Sequence, residues 1–345
     1  MANQTRQLCE LLSADGCNVK VIQTNEPYAI SWVSGIKGVR ALVRLAPYVW
    51  KLWKFIGKGH VVHIMANSGW SWHLFSAPAI WVSAMRRVPV IVNYHGGEAG
   101  NFFHKSFKWI EPTMRRATKV VVPSGFLHQV FQEYSLQSEI IPNFINLDRF
   151  LVPSGRELKG ESYRLIVCRN LEEIYGIDTV IKAFSIIVKV LPNARLYIAG
   201  EGPERQDLIN LAADLNVSEN VDFLGSLTVD EMAGLYKSAD LMLNGSRVDN
   251  MPNALLEAMA SALPTVTTKA GGIPFMVEDG VTAELVDVDD WQAMARAALS
   301  LLQNDEKYRL MSQQCLQDVA MYTWSTVSPS WINAYKEVSG SISVN

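Results

Sequence analysis

Ser246-Arg247-Val248-Asp249-Asn250-Met251-Pro252-Asn253-Ala254-Leu255-Leu256-Glu257-Ala258-Met259-Ala260 is the stretch of this 345-residue chain that carries the most structural information. An apolar β-type run, Leu241–Leu243, precedes it and the helical window Ala254–Ala262 closes it, so it reads as a strand-to-helix turn. Pro252 suits a first helical turn and Asn253 is a capping type. Backbone N–H groups and the positive helix end then make the turn through Asn250, Met251, Pro252 and Asn253 an anion site suited to a diphosphate. Asp249 and Glu257 flank that turn. Like charges repel, so these two acids read instead as acceptors for paired hydroxyls, on a ribose or on a sugar ring. Taken alone the pair says little, because 34 of 345 residues are acidic.

Working outward, the same strand-then-helix alternation runs through the chain. Strands are expected at Val19–Gln23, Val61–Met65, Pro89–Asn93, Lys119–Val122 and Glu139–Ile141 in the first half. In the second half they are expected at Arg164–Cys168, Arg195–Ala199, Val221–Leu224, Leu241–Leu243 and Thr265–Thr267. Helical windows such as Thr179–Lys189 and Arg205–Asp214 lie between them. Such alternation predicts α/β domains with parallel sheets, and the length predicts two of them. Leu151–Ser162, with Pro, Gly and charges, is the expected linker. The resulting division is 1–150, 151–324, and a docking C-terminal helix over 325–345. The opening is unusual for such a domain: Thr5–Leu12 reads as a helix, with no strand and glycine-rich turn before it.

Composition narrows the class. Hydrophobic residues make up 49% and charged residues 19%, which excludes a disordered chain. No run of about 18 apolar residues predicts a transmembrane helix. The four cysteines lack metal-ligand or redox spacing and read as reduced thiols of a cytoplasmic protein. Net charge is −3, yet residues 1–150 carry +8 and the remainder −11, as expected for two domains with different partners. Basic residues at 37, 40, 44, 51, 54 and 58 fall in one sector of a helix, with Trp50, Trp53 and Ile56 away from its centre and Pro47 as a kink. Such a sector suits an anionic membrane surface, and equally a solvated helix face.

Other candidate residues also follow strands, where open α/β sheets bind ligands. Arg169 closes the strand Arg164–Cys168, and its planar fork matches phosphate oxygens or an ordinary ion pair. Gly200 and Gly202, in Gly200-Glu201-Gly202-Pro203, would let backbone approach a ligand closely, as would Gly271-Gly272. His95, before Gly96-Gly97, sits where a substrate would meet it. His60 and His63 read as structural.

In order, His95-Gly96-Gly97, Pro123-Ser124-Gly125, Ile141-Pro142-Asn143, Arg169, Gly200 to Pro203, Asp249 to Glu257 and Gly271-Gly272 resemble the retaining glycosyltransferases of the family 4, or group 1, type. The resemblance spans nearly the whole chain. It implies a GT-B fold, two Rossmann-like doubly wound domains facing across a cleft. It also implies a nucleotide-sugar donor held mainly by the second domain and an acceptor held mainly by the first. Retention at the anomeric carbon and no cofactor or obligatory metal follow from it. By the same resemblance Glu257 holds the donor ribose, Asp249 meets the donor sugar, Arg169 binds the diphosphate and His95 lies near the transferred sugar. Three positions depart from the family pattern: Asp249 stands for the usual Glu, Tyr175 for a Lys, and Ala262 for a Gly. The family's first strand and glycine-rich loop have no counterpart before Met1.

The implied activity is transfer to a lipid-linked acceptor, a glycolipid or lipopolysaccharide, or to an exopolysaccharide, without a nucleic-acid partner. A sugar-nucleotide epimerase and a non-catalytic binding or scaffold protein are the rival readings.

Overall fold

A computed structural model describes residues 2–24, 39–57, 59–152, 154–158, 160 and 162–340. The chain divides into two compact units, 1–142 with 328–345, and 143–327.

The first unit holds strands β1 (Val62–Ala66), β2 (Val90–Tyr94), β3 (Lys119–Val122) and β4 (Glu139–Ile140), all parallel, in the order β1-β2-β3-β4. Its helices are α1 (Ala2–Ala14), α2 (Val39–Phe55), α3 (Ala77–Met85), α4 (Ala99–Met114) and α5 (Gly125–Glu133). Every residue of β2 is buried, as expected for an inner strand of a sheet covered on both faces. Pro123-Ser124-Gly125 has a plain structural role. Ser124 caps α5, its Oγ accepting the Leu127 amide at 3.3 Å.

The second unit holds α6 (Leu147–Phe150), β5 (Arg164–Cys168), α7 (Ile177–Val190), β6 (Arg195–Ala199), α8 (Arg205–Asp214), β7 (Val221–Gly225) and α9 (Val229–Ser238). It continues with β8 (Leu241–Asn244), α10 (Asn253–Ala260), β9 (Thr265–Thr268), β10 (Glu284–Val286), α11 (Trp291–Leu302) and α12 (Asp305–Asp318). Helix α13 (Trp324–Gly340) runs from this unit into the residues assigned to the first. The sheet is parallel, in the order β10-β9-β8-β5-β6-β7. The chain builds outward from β5 on one side and then returns to β8 on the other. Strands β5 and β8 therefore flank the topological switch point, where the carboxyl ends of open α/β sheets form a binding crevice.

Three expectations need correction. Val19–Gln23 forms no strand, because no described strand lies beside it to complete a ladder; it stays coil, with Lys20 Nζ 3.4 Å from the centre of the Phe55 ring. Leu151–Ser162 is no free linker. Within it Arg156 donates to the Ser261 carbonyl at 2.7 Å, to the Tyr236 carbonyl at 2.7 Å and to the Ala239 carbonyl. A guanidinium thus satisfies orphan carbonyls at the C-terminal ends of both α9 and α10, where the dipole favours a cation. The second unit begins at Asn143, ahead of that stretch. Phe144 packs edge-on against Trp324 at 4.9 Å, and the Ile145 amide donates to the Tyr322 carbonyl at 2.8 Å.

Of the basic sector, Lys37 and Lys58 lie outside the described residues. Helix α2 carries the rest of it, with Pro47 inside, although the side chains of Arg40 and Arg44 are likewise outside the description. Ile56 is buried, whereas Trp50 and Trp53 are 61% and 50% exposed.

Candidate active site

The site of the second unit is built at the carboxyl ends of β5 and β8. Arg169 follows β5 and projects its guanidinium between two polar groups, one on the last residue of β8 and one in the turn that follows it. Its Nε donates to Asn244 Oδ1 at 3.1 Å, and its Nη2 forms an ion pair with Asp249 Oδ2. Each of the two charged side chains is only 12% exposed. The Tyr175 ring lies 5.2 Å from the guanidinium carbon, close enough for a cation–π contact. At the position where the family carries a Lys, this chain thus offers an aromatic face to the arginine.

Asp249 is held as firmly as the arginine. Ser246 Oγ lies 3.2 Å from Asp249 Oδ2 and 3.1 Å from Asn244 Oδ1, and the Asn250 amide donates to Asp249 Oδ1 at 2.9 Å. Asn244 in turn donates from Nδ2 to Thr267 Oγ1 at 2.9 Å, which ties the cluster to β9.

Glycines let these loops stack. A Cβ on Gly200, whose φ is +151°, would fall 1.8 Å from the Arg169 carbonyl oxygen, and one on Gly202 2.2 Å from the Leu171 carbonyl oxygen. One on Gly272 would fall 2.0 Å from the Asn250 carbonyl oxygen. The smallness of these glycines is needed for backbone-on-backbone packing, in addition to any approach by a ligand.

The turn into α10 differs in one detail from expectation. Pro252, extended at ψ 123°, occupies the cap position, and Asn253 is the first helical residue with no side-chain cap on the helix. Asn143 braces this turn, donating from Nδ2 to the Met251 carbonyl at 3.0 Å and to Asn253 Oδ1 at 3.3 Å. Glu257 lies one turn further along α10. Burial pushes its pKa up to about 7, against the opposing pull of the Tyr236 hydroxyl and the Arg169 charge. The fully buried Tyr236 donates to the Ala254 carbonyl at 3.3 Å.

His95 belongs to the first unit. It follows β2, where its amide donates to the Ala66 carbonyl at 2.9 Å. Burial drives its pKa down to about 3, and that of His63 down to about 4. His63 Nδ1 lies 2.6 Å from the Tyr335 hydroxyl, and its ring packs 4.9 Å from that of Trp331. Among the described residues His63 Nε2, His95 Nε2, Asn93 Oδ1 and Trp331 Nε1 are buried without a hydrogen-bond partner. No cluster of three or more metal-capable side chains occurs among the described residues.

Two family models match the chain, Glycosyltransferase Family 4 over residues 1–149 and Glycosyl transferases group 1 over residues 152–317. Residues 152–317 are thus a group 1 glycosyltransferase domain, and residues 1–149 a domain of Glycosyltransferase Family 4. N-acetyl-alpha-D-glucosaminyl L-malate synthase of Bacillus anthracis is 34% identical over 187 residues, which are 52% of this chain and 48% of that protein. Alpha-monoglucosyldiacylglycerol synthase of Streptococcus pneumoniae is 28% identical over 222 residues, 57% of this chain and 49% of that protein. The chain therefore spans about half the length of these curated relatives. Sucrose-phosphate synthase of Thermosynechococcus elongatus superposes with a TM-score of 0.76 at 20% identity, over 98% of this chain and 93% of that one. The fold is α/β of the GT-B type.

Sequence reasoning singles out Arg169, Asp249 and Glu257, gives Ser246 no role of its own, and passes over Asn244 and Tyr236. Asn143 enters only through the resemblance. Asn244 and Ser246 stand at the end of β8, and strand-end placement was the signal that would have found them.

Proposed function

We propose that the chain transfers a sugar, with retention, from a nucleotide-sugar to a lipid-linked or polysaccharide acceptor, the second unit holding the donor. The observation that carries this is the convergence of Arg169, Glu257 and the uncapped N-terminus of α10 at one switch point. Arg169 and the helix end would meet the diphosphate, and Glu257 the ribose hydroxyls. As the glycosidic bond breaks, negative charge grows on the leaving diphosphate. Fixed donors already aimed there stabilise that charge without reorganisation, which is the main rate-enhancing contribution asked of this site. The reading needs no resident metal. His95 is assigned to the acceptor side, near the transferred sugar.

The glycolipid version of the acceptor draws on α2. Its exposed Trp50 and Trp53 carry cations, Lys54 Nζ 5.0 Å from the Trp50 ring and the Arg86 guanidinium 5.1 Å from that of Trp53. Indole rings beside cations suit the headgroup region of an anionic membrane, and the monoglucosyldiacylglycerol synthase relative is named for a glycolipid. Co-sedimentation with anionic liposomes at low salt, lost in Trp50→Ala/Trp53→Ala, tests this part.

The transfer itself is tested by incubating UDP-, GDP- and ADP-sugars with the protein and measuring nucleoside diphosphate release. Release that requires a glycolipid or oligosaccharide acceptor, with the product anomer matching the donor, supports the proposal. Release without acceptor would mark a hydrolase, conversion of the donor into another nucleotide-sugar without release an epimerase, and no turnover of any donor a binding protein.

A further inference from the structure

We propose that Trp70 is the stacking face for a sugar ring of the acceptor, so that the first unit receives a glycan end and not a bare lipid alcohol. This rests on the reading of the first unit as the acceptor side, and it narrows the acceptor class. Two indoles stand two residues apart in the turn that follows β1, and they are treated oppositely. Trp72 is fully buried, its ring 6.2 Å from that of Tyr94, whereas Trp70 is 79% exposed. Gly69, at φ +74°, makes the turn that separates both from the strand.

The exposed ring is nonetheless braced. It lies 6.2 Å from the His73 ring in an edge contact, His73 lies 5.7 Å from Phe102 of α4, and Phe102 6.2 Å from the fully buried Phe103. The base of the turn is clamped as well. Ser71 Oγ donates to the Ser68 carbonyl at 2.9 Å, Ser68 Oγ lies 2.8 Å from the Tyr94 hydroxyl, and a Cβ on Gly96 would fall 2.2 Å from Ser68 Oγ. Trp72–Ser76 then form a π-helical turn, a rare form that concentrates at functional sites. A braced, exposed aromatic beyond the carboxyl end of a parallel strand is arranged in advance for a ligand.

The neighbours of Trp70 select the ligand. Asn67, Ser68, Ser71 and His73 surround it in the chain. Every other exposed large apolar residue described in the first unit lies on α2, α3, α4 or β4 or at Val21, and none in the turns that follow β1 and β2. An acyl chain needs a continuous apolar run, which one indole among hydroxyls, an amide and an imidazole does not supply. A pyranose ring matches it. Its C–H face, made slightly positive by the oxygens of the sugar, meets the negative face of the indole, while hydroxyls at its rim can reach polar side chains.

The test uses the full chain with isotope-labelled indole nitrogens. The probes are octyl glycosides of glucose, galactose and N-acetylglucosamine, kept below micelle formation, with dioctanoylglycerol as the sugar-free control. In NMR spectra the Nε1–H resonance missing from Trp70→Phe identifies Trp70. That resonance is expected to shift with at least one glycoside and not with dioctanoylglycerol. For a glycoside that is also glycosylated from a nucleotide-sugar, Trp70→Ala should raise the acceptor KM about tenfold, more than it lowers kcat. Trp70→Phe keeps a ring face and should raise it by no more than about threefold. A fold defect would instead lower the thermal midpoint of both variants, and the titration of the unsubstituted protein then decides. A Trp70 resonance that shifts with dioctanoylglycerol, or with no probe, overturns the inference, as does an acceptor KM that Trp70→Ala leaves unchanged. If no donor is turned over but the resonance still moves with a glycoside, the transfer reading fails and the sugar site stands.

Discussion

The polar groups gathered at the ends of β5 and β8 in the second unit and those buried around β1, β2 and α13 in the first are treated in opposite ways. In the second, Arg169, Asp249, Asn244 and Ser246 satisfy one another after β5 and β8. In the first, His63 Nε2, Asn93 Oδ1, His95 Nε2 and Trp331 Nε1 are buried with no partner among the described residues. An unsatisfied buried polar group costs about 1–3 kcal/mol, whereas a satisfied one contributes a modest net gain. The second unit therefore presents a site arranged in advance by its own side chains. In the first unit, stability is given up locally to keep polar atoms dry and unpaired.

That contrast makes removal costs differ in sign. Arg156 is the satisfied kind, half-buried and bound to three helix-end carbonyls. Arg156→Met should destabilise the protein by about 2–4 kcal/mol, since several charged hydrogen bonds vanish and their acceptors stay behind. Urea melts of the variant would check this, and an unchanged midpoint would break the comparison.

The next effect is on ligand affinity. Glu257 has a pKa of about 7 in the folded protein, against an ordinary value of 4.5. Ribose hydroxyls bind best to the ionised form, so nucleotide-sugar affinity should fall about tenfold for each pH unit below 7. A nucleotide-sugar is the right probe, because its diphosphate has no ionisation of its own in that range. Titrations at pH 8, 7 and 6 should show the slope in the unsubstituted protein and not in Glu257→Gln.

Smaller shifts appear in stability against pH, and they oppose each other. Glu257 is raised, so its contribution is fully present below about 4.5 and is lost as pH rises through 7. His63 and His95 are depressed from 6.5 to about 4 and about 3, so theirs is present above 6.5 and is lost as pH falls toward those values. Acidifying from pH 8 to 5 should therefore weaken the first unit through its histidines while relieving the second through Glu257. His95→Leu should flatten the acid-side loss, and Glu257→Gln should remove the opposing gain, both read from the thermal midpoint. The smallest expected effect is that of Asn93→Leu. Its only side-chain hydrogen bond described is a weak one to Met65 Sδ at 3.4 Å, so replacement should be neutral or stabilising by up to about 1 kcal/mol.

Much of this arrangement was legible in the sequence because it is local. Apolar runs such as Leu165-Ile166-Val167 and Leu241-Met242-Leu243 announce strands buried on both faces, and the residue after each run is placed by the strand itself. Arg169, Asp249 and Glu257 could be picked out for that reason. Glu284–Val286 escaped because three residues at a sheet edge carry too little pattern. Val19–Gln23 misled because β-propensity cannot supply a neighbouring strand. Hydrogen bonds that join β5 to β8, or Asn143 to the α10 turn, link residues 75 and 108 positions apart, a pairing no short window contains. Arg156 was hidden in the same way: in sequence it is one charge in a Pro- and Gly-containing stretch, in space it closes two helices.

The account turns on whether the β5–β8 switch point of the second unit is a nucleoside diphosphate site. Titration calorimetry of UDP, GDP and ADP against the unsubstituted protein, Arg169→Ala and Glu257→Ala tests that most directly. One nucleotide should bind, and each substitution should weaken it by about one to two decades, the 1.5–3 kcal/mol of a lost charged hydrogen bond. Equal affinity in all three proteins, or no binding by any, would contradict it.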